Sequence, residues 1–538
     1  MKTANLSRNK LVAVLTVTAV LGACSGSGND SPPGTGMGPN VFVTAKAVYA
    51  WAPDGQKMAF TVVPRNSGSP LELVTINADG TSRTTISNDL RQGGLFYSAF
   101  AWSPAATRIA YLLDDTGNGV QLATSRPDGS GTILLADHLV SDGSGMGGIF
   151  STVAWSPDGS SLTFVTEMTP GTPELFVVSA DGATSSQVSG PQVAGGFVGS
   201  GLWSPNGQRL AYLASQDTAG LTELYVASTD GSGNVKVSVP LQNGDSIIAP
   251  VWSPDGAYIA YLVTRNNSPT SQLYIVDVNA RINTAIFPEA ISSGIDINSM
   301  RWSPGGSRFA YVADLGQAEK LEAYTVLPDG TGHSNVSGNL IVDGSVTDLG
   351  WAPDGSRLLY RADRNIDEEF EIYSVLPDGS DIRLVSGPLV SGGSVLRGDL
   401  VSAWSPDASR VTYAADQNVS DEIEAFVSSP DGSSNIPISN LNAAGGGALQ
   451  PIWSPGGAML AYVAAEGGEF YATTVGPDGS DAFRISGTET GDNLLTDLAW
   501  SADASQLAYR VRSGDEVNFY TVRPDGSLRV RITASGMN

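Results

Sequence analysis

Few residues in this chain are of kinds that do chemistry. The 538 residues hold two histidines, His138 and His333, and one cysteine, Cys24. A Ser-His-Asp hydrolase of the elbow type needs a G-x-S-x-G turn between strand and helix, and the sequence has none. One cysteine excludes an internal disulfide, and with two histidines it excludes a Cys/His zinc site. Carboxylates are more plentiful. Asp114, Glu167, Asp314, Asp363 and Asp416 each stand twelve residues after a tryptophan, and acid-rich runs follow at Asp367-Glu368-Glu369 and Asp421-Glu422. Oxygen-rich loops can hold Ca²⁺, and two carboxylates at the right separation can cleave a glycoside. No EF-hand spacing accompanies these acids, so carboxylates facing water are the plain expectation. No catalytic and no metal-binding residue is assigned.

The formal net charge is −25. A surface this acidic repels a phosphate backbone, which argues against nucleic-acid binding and admits cationic partners. Hydrophobic residues make up 41% and charged residues 15%, a balance that suits a folded core. The 63 glycines follow no collagen period and imply many tight turns.

The two ends of the chain differ in kind. Residues 1–23 carry Lys2, Arg8 and Lys10, then the uncharged run LVAVLTVTAVLGA. That run falls short of the roughly 20 residues a spanning helix needs and reads as a secretory signal peptide. It ends in Leu21-Gly22-Ala23-Cys24, which resembles the bacterial lipobox. The resemblance implies cleavage before Cys24 and lipidation of its thiol, with several acyl chains giving a firm anchor. Ser25 after the cysteine implies the outer membrane if the source is Gram-negative. Residues 24–40 are Ser, Gly, Pro and polar, a flexible tether.

Residues 41–538 hold a repeat. The ten tryptophans are Trp51, Trp102, Trp155, Trp203, Trp252, Trp302, Trp351, Trp404, Trp453 and Trp500, spaced 47 to 53 residues apart. Each opens a W-[SA]-[PA]-x-[GA] turn. Nine residues after each stands an aromatic: Phe60, Tyr111, Phe164, Tyr212, Tyr261, Tyr311, Tyr360, Tyr413, Tyr462 and Tyr509. Nine of the ten repeats carry a second turn at Asp-Gly, and the fifth has Asn279-Ala280 instead. Asp-Gly between apolar runs is a hairpin signal. In residues 348–386 the pattern predicts strands around Leu358–Tyr360, Phe370–Val375 and Ile382–Val385, after an apolar stretch ending in Trp351. Four short antiparallel strands in about 50 residues make a propeller blade, and blades bury their faces only on neighbours. The fold class is therefore all-β, a β-propeller of ten four-stranded blades. The Trp and Tyr/Phe series is its packing between blades.

The phrase W-S-P-D-G-x-x-L-A-Y, followed by an L-Y-V strand and D-G, resembles the WD40-like (PD40) repeats of the TolB propeller family over residues 46–535. The resemblance implies the propeller fold. TolB itself carries an α/β domain before six blades and is soluble in the periplasm, so its role in the Tol–Pal system does not carry over. Prolyl-oligopeptidase-type peptidases carry similar repeats beside a hydrolase domain, for which no segment is found here. Polysaccharide lyases with such repeats use several histidines.

Uniform spacing favours one ring of ten over two smaller rings. Residues 41–45, VFVTA, are expected to be able to close the ring as an added strand. The functional expectation is a membrane-anchored lipoprotein of the cell envelope that binds a protein or peptide partner and is not an enzyme. The alternative is a carbohydrate-binding or carbohydrate-active protein using loop carboxylates.

Overall fold

A computed structural model describes residues 49–532, apart from 63–70, 91–99, 116–118, 140–152, 170, 267–270, 287–294, 316–319, 421, 440–445, 488, 491–493 and 514–515. The described residues are all β and contain no helix. They form ten antiparallel blades in a ring, each from one continuous stretch of chain. Blade seven shows the plan: Val346–Trp351, Leu358–Ala362, Glu371–Val375 and Arg383–Leu384 pair in sequence order. Trp351 pairs with Leu358, and Tyr360 lies opposite Tyr373. These strands match the elements expected from the repeat.

The turns form for local reasons. After Trp155, the Asp158 carboxylate accepts from Ser160 N at 3.0 Å and from the Ser156 hydroxyl at 2.6 Å. Gly159 then takes φ +70°, where a Cβ would cost energy. In blade five, which lacks the Asp-Gly turn, Arg281 takes φ +56° and its N–H reaches Asp277 O at 2.7 Å.

Two series of bonds tie each blade to the next. Eight of the ten tryptophans reach back to the carbonyl of the residue just before the preceding tryptophan. Trp102 Nε1 donates to Ala50 O at 3.2 Å, Trp155 to Ala101 O at 3.2 Å, and Trp302 to Val251 O at 3.2 Å. Trp203, Trp252, Trp351, Trp453 and Trp500 repeat the bond. On the third strands a hydroxyl reaches forward to a turn carbonyl of the next blade, as Thr75 does to Pro127 O and Thr325 to Pro377 O, both at 2.6 Å.

The second series also closes the ring. Thr521 Oγ1 of blade ten donates to Ala78 O of blade one at 3.0 Å. Met58, Phe60 and Val74 of blade one share a core with Ala508, Phe519 and Ile532 of blade ten. Tyr49 lies 4.9 Å from Phe519, ring to ring. Ten blades thus close on themselves by face-to-face packing. The suggested closing strand, residues 41–45, lies outside the described residues.

The repeated aromatics fill the blades as expected. Tyr212–Tyr225, Tyr261–Tyr274, Tyr360–Tyr373 and Tyr413–Phe426 stack as cross-strand pairs at 5.3 to 5.9 Å. Blade eight departs from the plan. Its regular strands are Val411–Ala415, Glu424–Ser428 and Asn435–Pro437. Its innermost segment touches them only through the single pairs Val395–Ala415 and Trp404–Val411.

Candidate functional site

The residues singled out in the sequence mostly serve the fold. All ten tryptophans sit at the end of a blade's innermost segment, between blades. Cys24 and the tether lie outside the described residues. His138 falls in the strand Ile133–Leu139. His333 stacks on Tyr324 and its Nε2 is 2.6 Å from the Tyr311 hydroxyl. It stands 22 residues after its tyrosine, where Asn234, Asn283 and Asn435 meet Tyr212, Tyr261 and Tyr413. Burial lowers its pKa. His333 is thus a polar cap on a core tyrosine.

The acids twelve residues after the tryptophan are not gathered into one site. Buried Asp363 accepts from Ser345 N at 2.6 Å, and buried Asp416 accepts from Ser394 N at 2.6 Å. Each pins the chain entering its blade to the end of the second strand. Glu167 binds Gly171 N at 3.0 Å, and Glu369 binds Gly392 N at 2.6 Å. Among the described residues no three His, Cys, Asp or Glu side chains group as metal ligands.

Because the strands of a blade alternate in direction, its connections divide between two faces. The W-x-P-x-G and Asp-Gly turns share one face, and the connections after the second and fourth strands share the other. The turn face is uniform and short. The loop face carries the variable segments, which is where binding surfaces of repeat scaffolds arise. In blades seven and eight it presents exposed apolar side chains: Val342 (82% exposed) before blade seven, Ile366 within it and Val419 in blade eight.

The same two blades break the rule of the tryptophans. Trp404 Nε1 is buried without a hydrogen-bond partner among the described residues. Its expected acceptor is Gly350 O, but the backbone of the next blade covers that residue. A Cβ on Gly350 would stand 2.7 Å from Leu400 C and 2.8 Å from Val401 N. Trp51, at the closing seam, is the other indole without a partner.

At both seams a Thr-Asp-Arg group belongs to the blade before the break. In blade ten Arg510 Nε is 2.7 Å from Asp497 Oδ2 and 3.2 Å from Thr496 Oγ1, and Tyr49 of blade one donates to Asp497 O. In blade seven the same positions are Arg361, Asp348 and Thr347, paired differently. Asp348 Oδ1 meets Arg397 Nε of blade eight at 3.3 Å. Arg361 Nη1 donates to Thr347 Oγ1 at 2.8 Å and Nε to Val395 O of blade eight at 2.8 Å. Its guanidinium lies 4.0 Å over the Phe370 ring. Burial pulls the Arg361 pKa down to about 10 and raises that of Asp348.

Sequence reasoning missed this cluster, although a signal exists. Thr-Asp-Leu-[Gly/Ala]-Trp occurs at Thr347–Trp351 and Thr496–Trp500, and each copy has Arg ten residues after its tryptophan. Gly350 is the one glycine directly before any of the ten tryptophans. Charge is also confined: among the described first strands, those of blades one to five and nine carry no charged residue.

No curated protein matches the chain. Several solved structures match at low identity. A prolyl endopeptidase is 14% identical over 62% of this chain, which spans 49% of that protein's length, with a TM-score of 0.36. Porphyromonas gingivalis dipeptidyl peptidase 4 is 15% identical over 88% of this chain and 65% of its own, TM-score 0.46. TolB from Acinetobacter baumannii is 16% identical over 60% of this chain and 77% of its own, TM-score 0.27. Residues 176–420, from the third strand of blade three into blade eight, match the family described as the Lipoprotein LpqB β-propeller domain, and over that stretch the chain is similar to a lipoprotein propeller.

Proposed function

We propose that this chain is a lipid-anchored, non-enzymatic scaffold of the cell envelope that binds a protein or peptide partner on its loop face at blades seven and eight. One observation carries the reading: the regular clamp between blades is given up at the seven–eight seam, where a buried guanidinium and exposed apolar loop residues meet on one face. Repeat proteins depart from their own rules where function is grafted on. The Leu21-Gly22-Ala23-Cys24 sequence and the likeness to a lipoprotein propeller over residues 176–420 support export and anchoring. Ser25 favours the outer membrane in a Gram-negative cell.

Chemical cross-linking of the full chain in intact envelopes, followed by mass spectrometry, tests the reading. It expects cross-links from blades seven and eight to one recurring protein neighbour. A glycan-array hit with no protein neighbour would replace the scaffold by a carbohydrate-binding protein. Cys24→Ser is expected to release the chain from membrane fractions, and continued retention would refute the anchor.

A further inference from the structure

Arg361 is a buried cation with no carboxylate at ion-pair distance among the described residues, and Asp348 and Asp363 act on it only from farther off. It is 8% exposed, and among the described residues no Asp or Glu oxygen lies within 4.0 Å of its guanidinium. Two of its nitrogens are fixed, Nε by Val395 O and Nη1 by Thr347 Oγ1, and Nη2 has no partner among the described residues. The carboxylate that should neutralise it, opposite it in the strand register, is Asp348. One oxygen of that carboxylate meets Arg397 of blade eight, and the other accepts from Thr347 Oγ1 at 3.0 Å, so it reaches Arg361 only through the threonine hydroxyl. The equivalent Arg510 in blade ten does hold its own Asp497. The unfilled pairing is therefore particular to the seven–eight seam.

The place of Arg361 decides what could fill it. It lies next to the end of the second strand of blade seven, one residue before the loop that carries Ile366. Thr347, Asp348 and Arg397 lie at the loop-face ends of their segments as well. Val342 and Val419 stand on the neighbouring connections. Asp343, Asp367 and Glu368 lie in the same loops and repel a polyanion. The surroundings fit one small carboxylate at the end of an apolar chain. A guanidinium already oriented by two bonds loses little freedom when it takes that group.

We propose that Arg361 receives the C-terminal carboxylate of an apolar peptide segment of the partner, with Val342, Ile366 and Val419 meeting the side chains behind it. This rests on the reading of the seven–eight seam as the docking site and names the chemistry recognised there. Arg361 holds the carboxylate, and Arg397 keeps Asp348 from taking its place. Terminal carboxylate capture is a recurrent mode of peptide recognition.

The test uses the full chain with Cys24→Ser and fluorescein-labelled hexapeptides ending in apolar residues, made as free acids and as C-terminal amides. Fluorescence polarisation is expected to show free-acid peptides binding at least about tenfold more tightly than their amides. Arg361→Gln should remove that difference. Arg397→Gln, at an exposed side chain that leaves the core untouched, should weaken free-acid binding by releasing Asp348 toward Arg361. Equal binding of acids and amides, or no binding by any peptide, would overturn the inference. Cross-links that place a partner on the seam while acids and amides bind alike would leave the scaffold reading standing and remove only the carboxylate. Cross-links elsewhere would remove the scaffold reading itself.

Discussion

The indole of Trp404 makes no hydrogen bond among the described residues, and Gly350, whose carbonyl the repeat would offer it, is packed tightly against the Leu400–Val401 backbone. Eight tryptophans bond the residue before the preceding tryptophan; Trp404 does not, and at Gly350 the Leu400–Val401 backbone occupies the space a Cβ would fill. Only glycine admits that approach. Gly350→Ala places a Cβ within 2.9 Å of three backbone atoms of Leu400 and Val401. It should destabilise the fold by about 1–3 kcal/mol, as overpacking does. Urea unfolding followed by tryptophan fluorescence checks it, and Ala499→Gly at the corresponding place in blade ten gives no such relief of strain.

The same contrast separates two tryptophans. Trp302→Phe deletes the hydrogen bond from the indole to Val251 O. Trp404→Phe deletes no bond among the described residues. Both lose indole packing. Trp302→Phe should therefore cost about 1–2 kcal/mol more than Trp404→Phe, measured as a difference in unfolding free energy.

His333 should behave as an asparagine does elsewhere in the ring. His333→Asn keeps a polar partner for Tyr311 and should stay within about 1 kcal/mol of the parent. His333→Leu removes the hydrogen bond between the imidazole and the Tyr311 hydroxyl and should cost about 1–3 kcal/mol. Thermal denaturation of the two variants separates a structural cap from a catalytic group, since a catalytic histidine need not prefer asparagine to leucine in stability.

Acid should weaken the ring through its turns. Asp79, Asp128, Asp181, Asp230, Asp329, Asp378, Asp431, Asp478 and Asp525 all have lowered pKa values, chiefly because neighbouring Ser or Thr hydroxyls donate to them and secondarily because backbone N–H groups do. A lowered folded pKa gives stability that is fully present above the unfolded value near about 3.9 and is lost as pH falls from there through the lower folded pKa. His333, lowered by burial, adds a smaller loss below about 6.5, because protons then favour the unfolded chain. A paired Asp329→Asn and Asp378→Asn variant should lose less stability between about pH 5 and pH 3 than the parent does. Asn206 already closes such a turn, accepting from Gln208 N at 3.1 Å, so the turns should survive.

The blades were legible in the sequence because residue types held by the same packing recur ten times at one spacing. Trp351 needs a neighbour's carbonyl and Tyr360 needs a cross-strand ring, and both needs fix residue type and spacing. Closure was not legible, because Thr521 meets Ala78 through a hydroxyl that resembles every other strand threonine. The candidate site was hidden for the opposite reason. Arg361 and Asp348 look like ordinary strand charges, and their significance lies in Asp348 turning to Arg397, a choice that only the three-dimensional seam makes. Asp363 and Asp416, expected to face water, are instead buried, because their carboxylates fasten incoming chain.

The docking claim is tested most directly by a photo-activated cross-linker placed at Ile366 or Val419 on the loop face and, for comparison, at Ser356 on the turn face. The experiment is run in intact cells with the lipidated full chain. The account predicts one shared protein adduct from Ile366 and Val419 and none of that mass from Ser356. An adduct from Ser356 alone, or equal yields from both faces, would contradict it.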